Sequence, residues 1–102
     1  MKCVYLIQSK ETGHYKIGIS KNPKKRIQQL NTGNSSKLKL IHIFETEYPF
    51  KLETALHNRY SHIIKYGEWF DFDPFIEVNF LKECELLNRG ISHLKKNLNP
   101  FV

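Results

Sequence analysis

The sequence has 102 residues, of which 40% are hydrophobic and 25% are charged, and its formal net charge is +6. This size and composition predict one globular domain over residues 1–102 and exclude a disordered chain. Two distant cysteines argue against a disulfide framework or a cysteine zinc site, and no apolar stretch is long enough for a signal sequence or membrane span, so we expect an intracellular protein (cytoplasm, nucleus or nucleoid).

The first predicted element is a β-hairpin. Residues 3–8 and 14–20 are rich in aromatic, β-branched and aliphatic residues, and the polar residues between them predict a turn. Gly18 interrupts the second strand, and a glycine there often marks a bulge or the close approach of another group. Because strand side chains alternate, Tyr15 is expected to point away from the face that carries Lys16.

The next predicted element is a short basic helix. Asn22-Pro23 supplies a cap and a first-turn proline, and Gly33 is a plausible stop. Ile27 and Leu30, three residues apart, are expected to form its buried stripe. Three adjacent cations follow the cap: Lys24, Lys25 and Arg26.

Most of the positive charge lies in the N-terminal part of the chain. Residues 1–40 carry nine Lys or Arg and a single acid, Glu11, whereas residues 41–102 carry seven Lys or Arg and nine acids. Such a region attracts polyanions, most often DNA or RNA, although a solvated basic face is the alternative on charge alone. The predicted nucleic-acid-binding residues are Lys16, Lys21, Lys24, Lys25, Arg26, Lys37 and Lys39.

A third strand is predicted over residues 38–47, and the longest helical pattern begins at Pro49 and ends near Tyr66. Residues 68–72 form an aromatic run that is typical of an extended segment. We expect Trp69 and Phe70 to close the core, and stacking on a nucleobase is the alternative.

Asp73-Pro74 repeats the cap-and-proline start and predicts a third helix to about Asn88, with Gly90 as its stop. Residues 91–102 are expected to form a polar tail with weak helical character. The predicted order is β-β-α-β-α-(β)-α, an α+β fold with a small three-stranded antiparallel sheet flanked by helices.

The order of several motifs resembles the GIY-YIG endonuclease superfamily, and most closely its divergent branch of phage and meiotically up-regulated DNA-binding proteins. The matching segments are Val4-Tyr5, Lys16-Ile17-Gly18-Ile19-Ser20, Asn22-Pro23, Arg26-Ile27, Leu52-Glu53, Leu56-His57 and Gly67-Glu68-Trp69-Phe70. They span a motif-bearing core, residues 3–72, with residues 73–102 as a C-terminal helix and tail. Cys3 replaces the first glycine of the family name, and Lys16 replaces its second tyrosine. The asparagine that closes many family sites has no clear counterpart in this sequence, and Glu68 or Trp69 stands near its expected position.

The resemblance implies a metal-dependent DNA endonuclease or nickase. Tyr5 would orient or deprotonate the attacking water, Arg26 would neutralise the phosphate, and Glu53 would hold one divalent ion, Mg²⁺ or Mn²⁺. Tyrosine is a weak base at neutral pH, so the cations Lys16 and Arg26 are expected to assist Tyr5. His57, one turn after Glu53, is a further catalytic candidate, with a structural histidine beside the core as its alternative.

The alternative function is a nucleic-acid-binding module with little or no catalytic activity. Lys16 favours this alternative, because an ammonium group cannot accept the hydrogen bonds that a phenol accepts. The expected partner is DNA, with RNA left open, and a protein partner is expected to supply sequence specificity. No membrane partner is expected. We expect Tyr5, Arg26 and Glu53 to meet on one side of the sheet.

Overall fold

The β-branched and aromatic residues near the start of the chain form the predicted hairpin, in which β1 (Lys2–Ser9) and β2 (Tyr15–Ser20) pair antiparallel. The structure is a computed structural model that describes residues 2–32 and 37–98. Its further elements are α1 (Pro23–Asn31), β3 (Leu38–Thr46), α2 (Pro49–Arg59), β4 (Ile64–Tyr66), β5 (Trp69–Phe70) and α3 (Pro74–His93). This arrangement confirms the predicted α+β class.

The strands of this part of the chain form one antiparallel sheet in the order β3-β1-β2-β5-β4. In the ladder between β1 and β2, Tyr5 pairs with Gly18 and Ile7 pairs with Lys16. On the other side of β1, a register shift in the pairing with β3 brings Leu40 opposite Ile7. The register puts Lys16 and Gly18 on the face of the sheet that carries Tyr5, and this face is called the Tyr5 face below.

The sheet separates two apolar clusters, because successive strand residues point to opposite faces. The main core lies between the sheet and the helices α2 and α3. Its buried members are Val4, Leu6, Tyr15, Ile17, Leu52, Leu56, Tyr60, Phe70, Phe72, Phe80 and Cys84. The smaller cluster lies on the Tyr5 face, where Ile27 of α1 packs with Tyr5 and Ile7. The predicted opposite orientations of Tyr5 and Tyr15 are therefore confirmed.

Polar contacts fix α3 to the main-core side of the sheet. The Tyr15 hydroxyl donates a hydrogen bond to Glu77 Oε1. The Thr46 hydroxyl donates one to Asn88 Oδ1, at a distance of 2.5 Å. Burial, and then Glu77, raises the pKa of Tyr15 to about 12. The phenol is thus held in its neutral, hydrogen-bonding form.

Two of the predicted helix starts have the expected caps. The side chain of Asn22 accepts a hydrogen bond from the Lys25 amide at 3.2 Å, and that of Asp73 accepts one from the Ile76 amide at 2.8 Å. Each cap satisfies an amide that has no partner within the helix. α1 ends at Asn31, and its predicted stop lies outside the described residues.

The sheet has more strands than the three that were predicted, because two short strands extend it beyond β2. β4 and β5 form a hairpin, and Phe70 of β5 pairs with Tyr15 of β2. Ile64 and Tyr66 suit a strand, and Gly67 has a φ of 53°, a left-handed conformation that glycine adopts readily in a tight turn.

The ends of two helices also differ from the prediction. α2 ends at Arg59 rather than near Tyr66, and a 3₁₀ turn, Ser61–Ile63, leads into β4. α3 continues through Gly90, the predicted stop, because Ile91 extends the apolar stripe that packs against the main core. A π-helical turn, Leu94–Leu98, follows where a polar tail was predicted.

Candidate active site

Tyr5 lies against the backbone of β2 at Gly18. A Cβ added at residue 18 would lie less than 3.0 Å from Cζ, Cε1 and the hydroxyl oxygen of Tyr5, so glycine is the residue that leaves room for the ring. Tyr5 as a whole is 5% exposed, and its hydroxyl forms no hydrogen bond with residues 2–32 or 37–98. This oxygen is not among the fully buried polar atoms of those residues that lack a partner, so it is open to water or to a ligand.

Lys16 lies two residues before Gly18 on the Tyr5 face. Its Nζ is 3.1 Å from Glu68 Oε2 and 5.9 Å from the ring centroid of Trp69. Trp69 in turn packs against the cluster that contains Tyr5. Lys16 therefore links β2 to the short β4–β5 hairpin at the edge of the candidate site.

Glu53 is a half-buried carboxylate on α2 that forms no ion pair or hydrogen bond within the described chain. Burial raises the pKa of Glu53 above its ordinary value. The charge of His57 opposes this shift, Glu68 adds to it, and Lys16 opposes it. The carboxyl group thus lies within the electrostatic reach of both members of the Lys16–Glu68 ion pair.

Tyr5 and Glu53, two of the candidate catalytic residues, belong to elements on opposite sides of the sheet. α1 packs on the Tyr5 face, whereas α2 packs in the main core through Leu52 and Leu56. Glu53 follows Leu52 directly, at the flank of the helix, and the charge of Lys16 on the Tyr5 face acts on it. The structure thus brings Glu53 together with Lys16, His57 and Glu68. The expectation that Tyr5, Arg26 and Glu53 meet on one side of the sheet is not confirmed, because α2 packs on the face opposite Tyr5 and α1, and Glu53 lies at its flank.

Arg26 is exposed on α1, beside the buried Ile27. The Asn31 side chain donates to the Leu38 carbonyl at 3.1 Å and accepts from its amide at 2.9 Å, which ties α1 to the start of β3. The exposed cations of this region are Lys21, Lys24, Lys25, Arg26, Lys37 and Lys39. None of them forms an ion pair with an acid of the described chain. Lys39 alternates with Leu38 and Leu40, which pack in the cluster that contains Tyr5, so Lys39 points to the other face of the sheet. We call the other five residues the basic surface.

His57 packs its ring against Phe70, with ring centroids 5.3 Å apart, one helical turn after Glu53. His14 and His42 belong to different sides of β1, since β2 and β3 are not neighbours in the sheet. Within residues 2–32 and 37–98, no group of three or more His, Cys, Asp or Glu residues is arranged to hold a metal ion. A metal site formed by these residues would therefore have at most two such protein ligands, with water completing the coordination.

Sequence reasoning missed the ion pair between Lys16 and Glu68 and the position of Tyr66. Both depend on β5 adding to the edge of β2, a long-range pairing that local patterns do not reveal. The signal that was present is Tyr66-Gly67-Glu68-Trp69, in which a glycine lies between residues that suit strands.

The model of the T5orf172 domain matches residues 2–87 of the chain. Neither a curated protein nor a solved structure matches the sequence. In the described residues, no helix has the length and apolar character needed to cross a membrane. The match covers most of the chain and includes the whole sheet, so the chain belongs to the T5orf172 domain family, a phage-type family of nucleic-acid-binding or nuclease-like modules.

Proposed function

We propose that this protein is a metal-dependent DNA endonuclease or nickase of the GIY-YIG type, which hydrolyses phosphodiester bonds. The observation that carries the proposal is the hydroxyl of Tyr5, which belongs to an almost buried residue, forms no hydrogen bond in the described protein and is open to solvent. It lies on the face against which the basic helix α1 packs. A solvent-accessible hydroxyl beside a cationic helix is a candidate for ordering the water that attacks a phosphate.

In this proposal Tyr5 orients the attacking water and accepts its proton, and Lys16 assists by stabilising negative charge on the phenol. Arg26 neutralises charge on the pentacoordinate phosphate, which a guanidinium does well because its donors match the phosphate oxygens. His57, one helical turn after Glu53, is a further candidate for proton transfer in this proposal.

Glu53 is the residue that fits a divalent ion. Its carboxylate is half-buried and has no ion pair in the described chain, and Mg²⁺ binds through one or two carboxylates while retaining water ligands. A bound Mg²⁺ or Mn²⁺ would supply Lewis acidity for the leaving oxygen. Burial raises the pKa of Glu53, and a bound cation would oppose this shift by favouring the ionised carboxylate.

A second candidate function is nucleic-acid binding with little or no cleavage. The Lys16–Glu68 ion pair at 3.1 Å favours it. Lys16 stands where the GIY-YIG name has its second tyrosine, and the negative charge of Glu68 partly cancels the positive charge that Lys16 brings to this face of the sheet. DNA is the proposed partner, with RNA as the alternative, and we propose that a protein partner supplies sequence specificity.

Incubation with supercoiled plasmid in Mg²⁺, in Mn²⁺ and in EDTA tests the proposal. We expect nicked or linear product with either metal and none in EDTA. Glu53→Gln should abolish cleavage and preserve gel retardation, whereas Glu47→Gln, at an exposed position, should leave both unchanged. Intact plasmid in every condition, together with retardation on the gel, would establish the binding function instead.

A further inference from the structure

The β4–β5 hairpin presents two aromatic side chains on neighbouring strands. Tyr66 pairs directly with Trp69 across the hairpin, and residues paired in this way point to the same side of a sheet. Trp69 is half-buried against the cluster that contains Tyr5. Tyr66 is 48% exposed, so the pair forms an aromatic surface that begins beside the candidate site and ends in solvent.

Two residues of β2 and its preceding turn hold these rings in place. His14 meets the Tyr66 ring edge to face, with centroids 5.4 Å apart, and the Lys16 ammonium lies 5.9 Å from the centroid of the Trp69 ring. His14 and Lys16 alternate with Tyr15, which faces the main core, and therefore lie on the Tyr5 face. The aromatic surface consequently shares one face of the sheet with Tyr5 and α1.

We propose that Tyr66 and Trp69 bind an unpaired nucleobase by stacking, so that this protein acts on single-stranded nucleic acid or on a strand that is locally unpaired beside the scissile phosphate. This inference rests on the proposed function, because it assigns a substrate class to the same site. A base in an intact duplex has both of its faces covered by its neighbours. It can stack on a protein ring only after it leaves the helix.

Charge complementarity selects a nucleic acid as the occupant. Sites for single strands combine aromatic stacking platforms with a positively charged surface that follows the backbone. The helix that packs on the Tyr5 face, α1, carries three exposed cations, Lys24, Lys25 and Arg26, and none of them forms an ion pair in the described chain. Glu68, the acid within the hairpin, is already paired with Lys16, so a phosphate chain crossing this face meets an excess of positive charge.

Trp69 is the one tryptophan of the sequence, and its fluorescence reports stacking directly. The probes are a thymidine oligonucleotide of about ten residues, the same oligonucleotide with abasic sites, and a duplex of equal length, all in EDTA to prevent cleavage. We expect the thymidine strand to quench Trp69 fluorescence and the abasic strand to bind without quenching.

Tyr66→Leu should weaken binding of the thymidine strand about fivefold or more, with little effect on the duplex. Tyr66→Phe retains a ring and should bind as the wild type does. Ile64→Ala, an exposed apolar position on the same strand, is the matched control and should also bind normally.

Equal quenching by the abasic strand, or unchanged binding by Tyr66→Leu, would overturn the stacking inference. If the wild type binds the duplex, but the thymidine strand does not quench Trp69 and Tyr66→Leu binds as the wild type does, only the stacking inference fails. The proposed function is then unaffected. If the wild-type protein binds none of the three probes, both the stacking inference and the proposed function are refuted.

Discussion

Tyr5 and Gly18 face each other across β1 and β2, and the tyrosine ring fills the space that a side chain at residue 18 would need. The ring is confined by backbone atoms on this side and by Ile27 and Ile7 of its own cluster. The position of the phenol oxygen is therefore set by the sheet, which is the rigidity that a catalytic group requires.

Replacing Gly18 by Ala is expected to destabilise the protein by about 1–3 kcal/mol, because the new methyl group would overlap the ring of Tyr5. Urea unfolding measures the loss. Gly90→Ala is the control. A Cβ at residue 90 meets no atom within 4 Å, and the helical position should gain about 0.5–1 kcal/mol. A Gly18→Ala protein as stable as the wild type would show that the ring can move aside freely.

Tyr5→Phe should reduce plasmid cleavage about 100-fold or more. Its unfolding midpoint should stay close to that of the wild type, because the lost hydroxyl has no hydrogen bond in the described protein. Tyr15→Phe should show the reverse pattern. It removes a hydrogen bond to Glu77 on the opposite face, which should lower stability by about 1 kcal/mol and leave cleavage intact. Undiminished cleavage by Tyr5→Phe would remove Tyr5 from the mechanism.

Changing Lys24 and Lys25 together to Ala should weaken DNA binding and flatten its dependence on salt. Each lost phosphate contact lowers the slope of log K against log salt concentration by about one. Fluorescence anisotropy at several salt concentrations gives that slope. Lys82→Ala, an exposed cation on α3, should leave it unchanged, and an equal slope in the double variant would exclude this part of the basic surface.

The raised pKa of Glu53 predicts a pH-dependent effect on stability. The folded protein binds the proton of this carboxyl group more tightly than the unfolded chain, whose ordinary pKa is 4.5. Ionisation therefore lowers stability above the folded pKa, and this loss disappears below 4.5. Glu53→Gln should consequently be more stable than the wild type at pH 7, and the two proteins should converge towards pH 4. Urea unfolding at both pH values measures the difference, and Glu47→Gln should shift stability equally at both.

The order of the elements followed from short-range patterns. Alternation along β1 and β2 correctly assigned Tyr5 and Tyr15 to opposite faces, and the Asn22-Pro23 and Asp73-Pro74 pairs correctly marked two helix starts. These features depend on neighbours in sequence, which is why they could be predicted.

What the sequence did not reveal depends on tertiary contacts. Ile63 and Ile64 continue the helical spacing of three and four residues that Leu52, Leu56 and Tyr60 begin. Only the pairing of Ile64 with Phe70 of β5 decides that Ile64 belongs to a strand. Likewise, the flank position of Glu53 beside the Lys16–Glu68 pair follows from how α2 crosses the sheet. The spacing of residues along α2 does not predict where that helix crosses the sheet, so it could not predict which residues lie next to Glu53.

The sheet separates the main core from the helix that carries most of the basic surface. Most of the large buried side chains lie in the main core, whereas Lys24, Lys25 and Arg26 are exposed on α1. Exchanging these three side chains should therefore alter what the protein binds with little effect on whether it folds.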